Sequence, residues 1–366
     1  MITMKPTFNL SANIENGFAE GAQYIVTPNA QKAVHNLVND FHAGIHSFTI
    51  IGSYGTGKSS FLLALESDLM KRTKKPFLLE SKTLSRNPKF EIINIVGDYA
   101  ELSTLICRGI NVDVSANSVL DELKAYYNRC QEQNKFLVIV IDEFGKVLEH
   151  AAKNCPEKEL YFLQKLAEFI NVSSHQILLL TTLHQNFSAY AKDLTETQVN
   201  EWKKVKGRFK EITFVEPVEQ LLHLASKQLH GERQIHVADN AVFLYELAKG
   251  TGFVSKDFSI ETALQLYPLD LFSAYAITSA IQRYGQNERS LFTFLASKGS
   301  NSISGYEPTQ NQTYNLQQVY DYVHYNFYSY LKDANADSMT WSSMQLSIEK
   351  VEGQEWESEE QTLTPL

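Results

Sequence analysis

From Ser47 to Thr213 the chain alternates between short, near-continuous apolar runs and longer segments in which apolar residues recur every three or four positions. The short runs are rich in β-branched residues and predict strands buried on both faces; the longer segments predict helices packed over them. Strands are expected at Ser47–Ile51, Phe90–Val96, Phe136–Ile141, Gln176–Thr182 and Glu211–Phe214, with helices at Ser59–Met70, Ser118–Gln131, Glu157–Asn171 and Thr195–Val205. Leu160, Leu163, Leu166 and Ile170 display the helical stripe. Such alternation implies an α/β core, a parallel five-stranded sheet sandwiched by helices. After Phe214 the strands stop, and Pro217–His230, Asp239–Lys249, Ile260–Tyr267 and Leu269–Tyr284 read as successive amphipathic helices. The expected organisation is an N-terminal segment and helix over 1–46, the core over 47–215, an α-helical lid over 216–298, and a loop with a C-terminal helical or disordered extension over 299–366. The last assignment rests on the polar stretch Gly299–Thr313 and the acidic end.

Composition narrows the class. With 366 residues, 43% hydrophobic and 20% charged, the chain can bury a large core and does not have the makeup of a disordered protein. Its 33 Lys and Arg against 42 Asp and Glu give a formal charge of −9, so a polybasic nucleic-acid or membrane-surface protein is excluded at the level of the whole chain. Cys107, Cys130 and Cys155 are odd in number and have no zinc-ligand spacing, which points away from a disulfide framework and towards a reducing cytoplasm. No run is long and apolar enough to span a bilayer, and the N-terminus has no signal-like apolar segment, so a cytoplasmic chain without membrane partners is expected.

The most specific motif is Gly52-Ser53-Tyr54-Gly55-Thr56-Gly57-Lys58-Ser59, between an apolar strand and an apolar-periodic helix. It matches GxxxxGK[ST] in the context that motif requires. Glycines at this spacing let successive N–H groups turn inward on phosphate oxygens, and the following helix adds its positive end. Gly52, Ser53, Tyr54, Gly55, Thr56, Gly57, Lys58, Ser59 and Ser60 are the candidate nucleotide-binding residues. Lys58 is expected on the β- and γ-phosphates and Ser59 on Mg²⁺.

A second element fits the same chemistry. The run Phe136–Ile141 leads directly into Asp142 and Glu143, two carboxylates at the end of a buried strand, where open α/β sheets bind ligands. Asp142 is the expected Mg²⁺ partner and Glu143 the general base for water; a plain acidic helix start is the alternative for this pair. The next strand ends in Thr181, Thr182, His184 and Gln185, and either Thr182 or His184 could sense a terminal phosphate. Before the last strand lie Lys203, Lys204, Lys206, Arg208 and Lys210. They read as compensation of a helix C-terminus, or, for Arg208, as a cation projected from the core's edge towards a neighbouring subunit's nucleotide.

Taken together, these residues resemble the AAA+ class of additional-strand P-loop ATPases: GSYGTGKS as Walker A, VIVIDE as Walker B, TTLHQ as sensor 1 and Arg208 as arginine finger. Tyr24–Thr27 looks like the adenine-side segment of such proteins. Within the class the chain is similar to the initiator-type and STAND-like branch, and the phrases YFLQKLAEF, EWKKVKGRF and RYGQNERSLFTFLAS look like those of large bacterial defence ATPases, including BREX-type phage-exclusion systems. Members of this kind usually run well beyond 366 residues. The resemblance implies ATP and Mg²⁺ as cofactors and an ATPase acting as an oligomeric motor or switch. It also implies a homo-oligomer, partner proteins of a defence or remodelling system, and Arg289 as a sensor-2-like arginine from the lid. Arg289 can equally be a helix-start residue paired with Glu288. DNA is an effector the resemblance suggests and the net charge does not support. A nucleotide-dependent scaffold with little turnover is the alternative function. A small-molecule kinase would want an acceptor pocket in place of Glu143; no NKxD motif follows the Asp142 strand as a GTPase would require, and no LSGGQ-like signature marks an ABC dimer.

Overall fold

The computed structural model describes residues 14–15, 17, 24–53, 55–70, 78–79, 83–84, 89–113, 118–192, 194–230, 240–284, 291–296, 301–303, 306, 313–332 and 337–352. Tyr54, Arg289, most of Gly299–Thr313 and the acidic end after Glu352 lie outside them. The chain divides into two compact units, with the changeover between Val215 and Glu216.

The first unit contains the strands β1 (Ser47–Ile51), β2 (Lys89–Val96), β3 (Lys135–Asp142), β4 (Ile177–Leu183) and β5 (Lys210–Thr213). All pair in parallel in the order β2-β3-β4-β1-β5, so the expected five-stranded parallel sheet is present. The strand inserted between β1 and β3 is β4, as an additional-strand P-loop core requires. Around the sheet run α1 (Pro28–His42), α2 (Lys58–Leu69), α3 (Leu102–Gly109), α4 (Val119–Glu132), α5 (Phe144–Lys153), α6 (Pro156–Ile170) and α7 (Glu196–Lys206).

Side-chain alternation along β3 shows why the sheet needs both helical layers. Leu137, Ile139 and Ile141 face a core built with α3 to α7, where Phe144, Leu163 and Trp202 are buried. Phe136, Val138 and Val140 face the other core, built with α1 and α2, where Leu37, Phe61 and Leu65 are buried. Each of these apolar side chains contributes about 1.5–3 kcal/mol by leaving water. Thr27 starts α1 by accepting a hydrogen bond from the Ala30 N–H (3.1 Å), ahead of Pro28 at the first helical position.

The structure adds α3 and α5 to the helices read from periodicity. The first spans eight residues, too few for a convincing stripe, and the second begins at Phe144 with a single residue separating it from β3. That residue, Glu143, makes the strand-to-helix turn in left-handed backbone (φ 55°, ψ 35°).

The second unit is helical among its described residues: α8 (Val218–His230), α9 (Ala241–Gly250), α10 (Ile260–Gln265), α11 (Leu271–Tyr284), α12 (Leu291–Ala296), α13 (Leu316–Lys332) and α14 (Ser338–Glu352). The start of α11, two residues later than the sequence suggests, is set by Asp270. Its carboxylate accepts from the Ser273 N–H (2.8 Å) and hydroxyl (3.0 Å), an N-cap arrangement. α13 packs on α11, and α14 on α13. No helix among the described residues is long and apolar enough to cross a membrane.

The C-terminal ends of β1 and β5 are joined so closely that only glycine fits between them. Gly52 donates to the Leu183 carbonyl (3.1 Å), Phe214 N–H donates to the Ile51 carbonyl (2.6 Å), and a Cβ on Gly52 would overlap the Phe214 carbonyl oxygen. We expect Gly52→Ala to lower unfolding free energy in urea by about 2 kcal/mol or more, since the obstacle is backbone that cannot rotate away. An unchanged midpoint would show that β5 yields at no cost.

Candidate nucleotide-binding site

β1 delivers the chain into the loop 52–57, and α2 begins at Lys58. Gly57 precedes it in left-handed backbone (φ 85°), and no side chain caps the helix. The first turn of α2 holds no acidic residue, so its N–H groups and positive dipole end are left for an anion. Ser59 and Ser60 sit half-buried in that turn. Thr56 closes the loop by donating its hydroxyl to the Ser53 carbonyl (2.9 Å).

Lys58 is the unusual residue. It is 5% exposed, and its Nζ donates to the carbonyls of Gly52 (2.6 Å) and Ser53 (2.8 Å), inside the loop it belongs to. Among the described residues it makes no ion pair. Burial pushes its ammonium down from 10.5 to about 8, although the charges of Asp142 and Glu143 pull the other way. A cation removed from water with carbonyls as its hydrogen-bond partners is costly, and an anion in the loop would offset that cost.

Asp142 ends β3, buried at 5% exposure. Beside it on β4, Thr182 is fully buried and donates its hydroxyl to Asp142 Oδ1 (2.5 Å). The same hydroxyl accepts from the Glu143 N–H (2.9 Å), which also reaches Asp142 Oδ1 (3.1 Å). Thr182 therefore fixes both the Asp142 carboxylate and the turn at Glu143. Its neighbour Thr181 points to β1, bonding the Phe48 carbonyl (3.1 Å) and the Thr49 hydroxyl (3.0 Å). The Glu143 carboxylate is paired with Lys146 (2.5 Å) on the first turn of α5. His184, the other sensor candidate, is held neutral: burial first, then the charges of Lys58 and Lys146, lower its pKa to about 3. Lys58, Asp142, Glu143, Thr182 and His184 thus share one end of the sheet.

Sequence reading missed two contributors. Gly97, just past β2, donates to the Asp142 carbonyl (2.7 Å), and a Cβ there would overlap the Glu143 carbonyl oxygen. Its signal is a glycine closing the run EIINIV. Lys146 shows no signal beyond being a cation in the first turn of a helix.

Arg208 lies apart. It precedes β5 and so occupies the end of the sheet opposite the loop, roughly 15 Å away along a strand that rises about 3.3 Å per residue. Its guanidinium donates to Glu168 on α6 (2.7 Å), while its Nε has no hydrogen-bond partner among the described residues. The basic run around it is largely matched by carboxylates: Lys204 with Glu201 (2.6 Å), Lys206 with Glu211 (3.4 Å) and Lys210 with Asp40 (3.6 Å).

No cluster of three or more His, Cys, Asp or Glu among the described residues is placed to hold a metal by itself. One buried carboxylate, Asp142, and one hydroxyl, Ser59, suit Mg²⁺, which takes few protein ligands and completes its shell with phosphates and water. The loop, the uncapped α2 and Lys58 suit the phosphates.

No protein-family model and no curated protein matches the chain. Several solved structures are similar to it. The Aeropyrum pernix ORC2 protein in ADPNP–ADP complexes is 15% identical with a TM-score of 0.38, over 71% of this chain and 65% of that one. The FIGL-1 AAA domain in complex with ADP is 12% identical with a TM-score of 0.35, over 92% and 91%. Domain III of the Thermotoga maritima replication initiation protein DnaA is 11% identical with a TM-score of 0.32, over 83% and 94%. The match spans less than two thirds of the length of the Aeropyrum pernix protein.

Two stability measurements probe this geometry. Thr182→Val removes the hydroxyl from two partners and should cost about 1–3 kcal/mol, with Thr182→Ser close to wild type; equal stability of all three proteins would mean the hydroxyl bridges nothing. For Lys58, the unfolded chain holds a proton between pH 8 and 10.5 that the native chain has released, so native stability rises across that window and the burial cost is fully present below it. Lys58→Met should therefore be more stable than wild type at pH 7, with the gap narrowing from about pH 8 upward. A gap independent of pH would contradict a depressed ammonium.

Proposed function

We propose that this chain is an AAA+-like ATPase that binds Mg-ATP at the loop 52–57 and hydrolyses it to ADP and phosphate. The observation that carries the reading is the buried Lys58 ammonium, hydrogen-bonded among the described residues to carbonyls of its own loop, ahead of a helix end with no side-chain cap. In this reading Lys58 turns from the Gly52 and Ser53 carbonyls to the β- and γ-phosphates, and the backbone N–H groups from Gly55 to Ser60 cradle the remaining oxygens. Bound Mg²⁺ would supply charge neutralisation across the phosphates, held by Ser59 and, through water, by Asp142. Glu143 accepts a proton from the attacking water, and Thr182 keeps Asp142 and Glu143 in register. His184, neutral at physiological pH, offers a hydrogen bond but no charge. The absence of an NKxD motif in the sequence, together with the segment Tyr24–Thr27, favours adenine over guanine.

Arg208 cannot reach the loop of its own chain, so any role on a nucleotide is in trans, in a homo-oligomer, after release from Glu168. Arg289 is carried into this reading from the sequence as the lid arginine. A cytoplasmic setting in bacterial anti-phage defence, with partner proteins, is the finer proposal that the sequence phrases suggest. DNA is the weaker effector, because the basic run at residues 203–210 is spent largely on carboxylates of the same chain. The second reading, a nucleotide-dependent scaffold, is favoured by one observation: Lys146 occupies the base.

Phosphate release separates the two. Glu143→Gln should lower turnover by about 10²–10⁴ while ATP affinity stays within roughly threefold; equal, slow release by both proteins would favour the scaffold. Arg208→Ala should spare ATP binding and lower turnover by about 10³ or more, and a full-speed Arg208→Ala protein would end the trans role.

A further inference from the structure

Lys146 sits where helix electrostatics disfavour it. It lies in the first turn of α5, whose N-terminus is already positive, and that turn contains no acidic residue. Its compensation comes from Glu143, one position before the helix, at the end of the sheet where Lys58, Asp142 and Thr182 converge. Glu143 is itself held in left-handed backbone, which costs a residue with a Cβ about 1–2 kcal/mol. The turn is met from outside: Thr182 accepts from its N–H, Gly97 donates to the preceding Asp142 carbonyl, and only a residue without a Cβ at position 97 leaves room for the Glu143 carbonyl. The turn is therefore fixed, while the carboxylate and ammonium extending from it are 37% and 51% exposed. An ion pair that open to water is worth no more than about 1 kcal/mol, so it can be exchanged for a stronger one. Lys146 also acts electrostatically on His184, as Lys58 does, so both cations bear on one locus.

We propose that Lys146 is a positioning residue for the terminal phosphate: it holds the Glu143 carboxylate while that phosphate is absent and moves to the phosphate when a triphosphate binds, which frees Glu143 for the attacking water. The inference rests on the nucleotide reading above and deepens it. A diphosphate ends one phosphoryl group short, leaves Lys146 on Glu143, and keeps the base masked. The site then distinguishes ATP from ADP through a cation outside the phosphate loop, and the second reading's quiet state becomes the resting state of the first.

The test is calorimetric binding, with Mg²⁺, of ADP and of the non-hydrolysable analogue ADPNP to wild type, Lys146→Met and Lys146→Arg. Lys146→Met is expected to leave ADP affinity unchanged and to reduce the preference for ADPNP by about tenfold, with Lys146→Arg restoring most of it. An unchanged preference in Lys146→Met, or equal weakening of both ligands, would overturn the role of Lys146 while leaving the nucleotide site intact. A wild-type protein that binds neither ligand would overturn the nucleotide reading and this inference together.

Discussion

The constraint on which the rest depends is the burial of one ammonium group. Lys58 is withdrawn from water into a loop of its own making, and among the described residues its hydrogen bonds go to backbone carbonyls. The sheet order makes this affordable. β1 lies between β4 and β5, so its loop opens beside the end of β4, and the carboxylates of Asp142 and Glu143 act on Lys58 from the end of β3, one strand further on. Remove the anchoring of that corner, and a buried cation would have little reason to stay.

That anchoring is mostly backbone against backbone. Gly52 admits Phe214, Gly97 admits Glu143, and Thr182 bridges β4 to the turn after β3. The ends of all five strands are thereby tied to a neighbour: β1 to β5, β2 to β3 and β4 to β3. Such anchoring holds the charged groups of the site in place while Lys58 is met by carbonyls and Glu143 by a solvent-exposed ion pair, as a preorganised site for a highly charged ligand requires.

Much of this was legible in the sequence, because strand-then-glycine-then-lysine and strand-then-carboxylate are local patterns. Ile139 and Val140 announce a doubly covered strand by being adjacent and apolar, and Asp142 follows where the run breaks. Thr182 was harder: Thr181 and Thr182 are equally buried, and only strand alternation, known once the partners are placed, sends one to β1 and the other to Asp142. Gly97 and Lys146 escaped notice because their roles depend on close approach across strands and on the left-handed turn at Glu143. The pairing of Arg208 with Glu168 spans 40 residues and leaves no local trace. Short α3 and abrupt α5 were missed because periodicity needs length.

The most direct measurement is isothermal titration of the purified chain with ATP and Mg²⁺, alongside Lys58→Met. The account predicts saturable binding at one site per chain, weakened by about tenfold or more in the variant, because the cation that awaits the phosphates is gone. Heat indistinguishable from buffer dilution in wild type, or equal affinity in the two proteins, would contradict it.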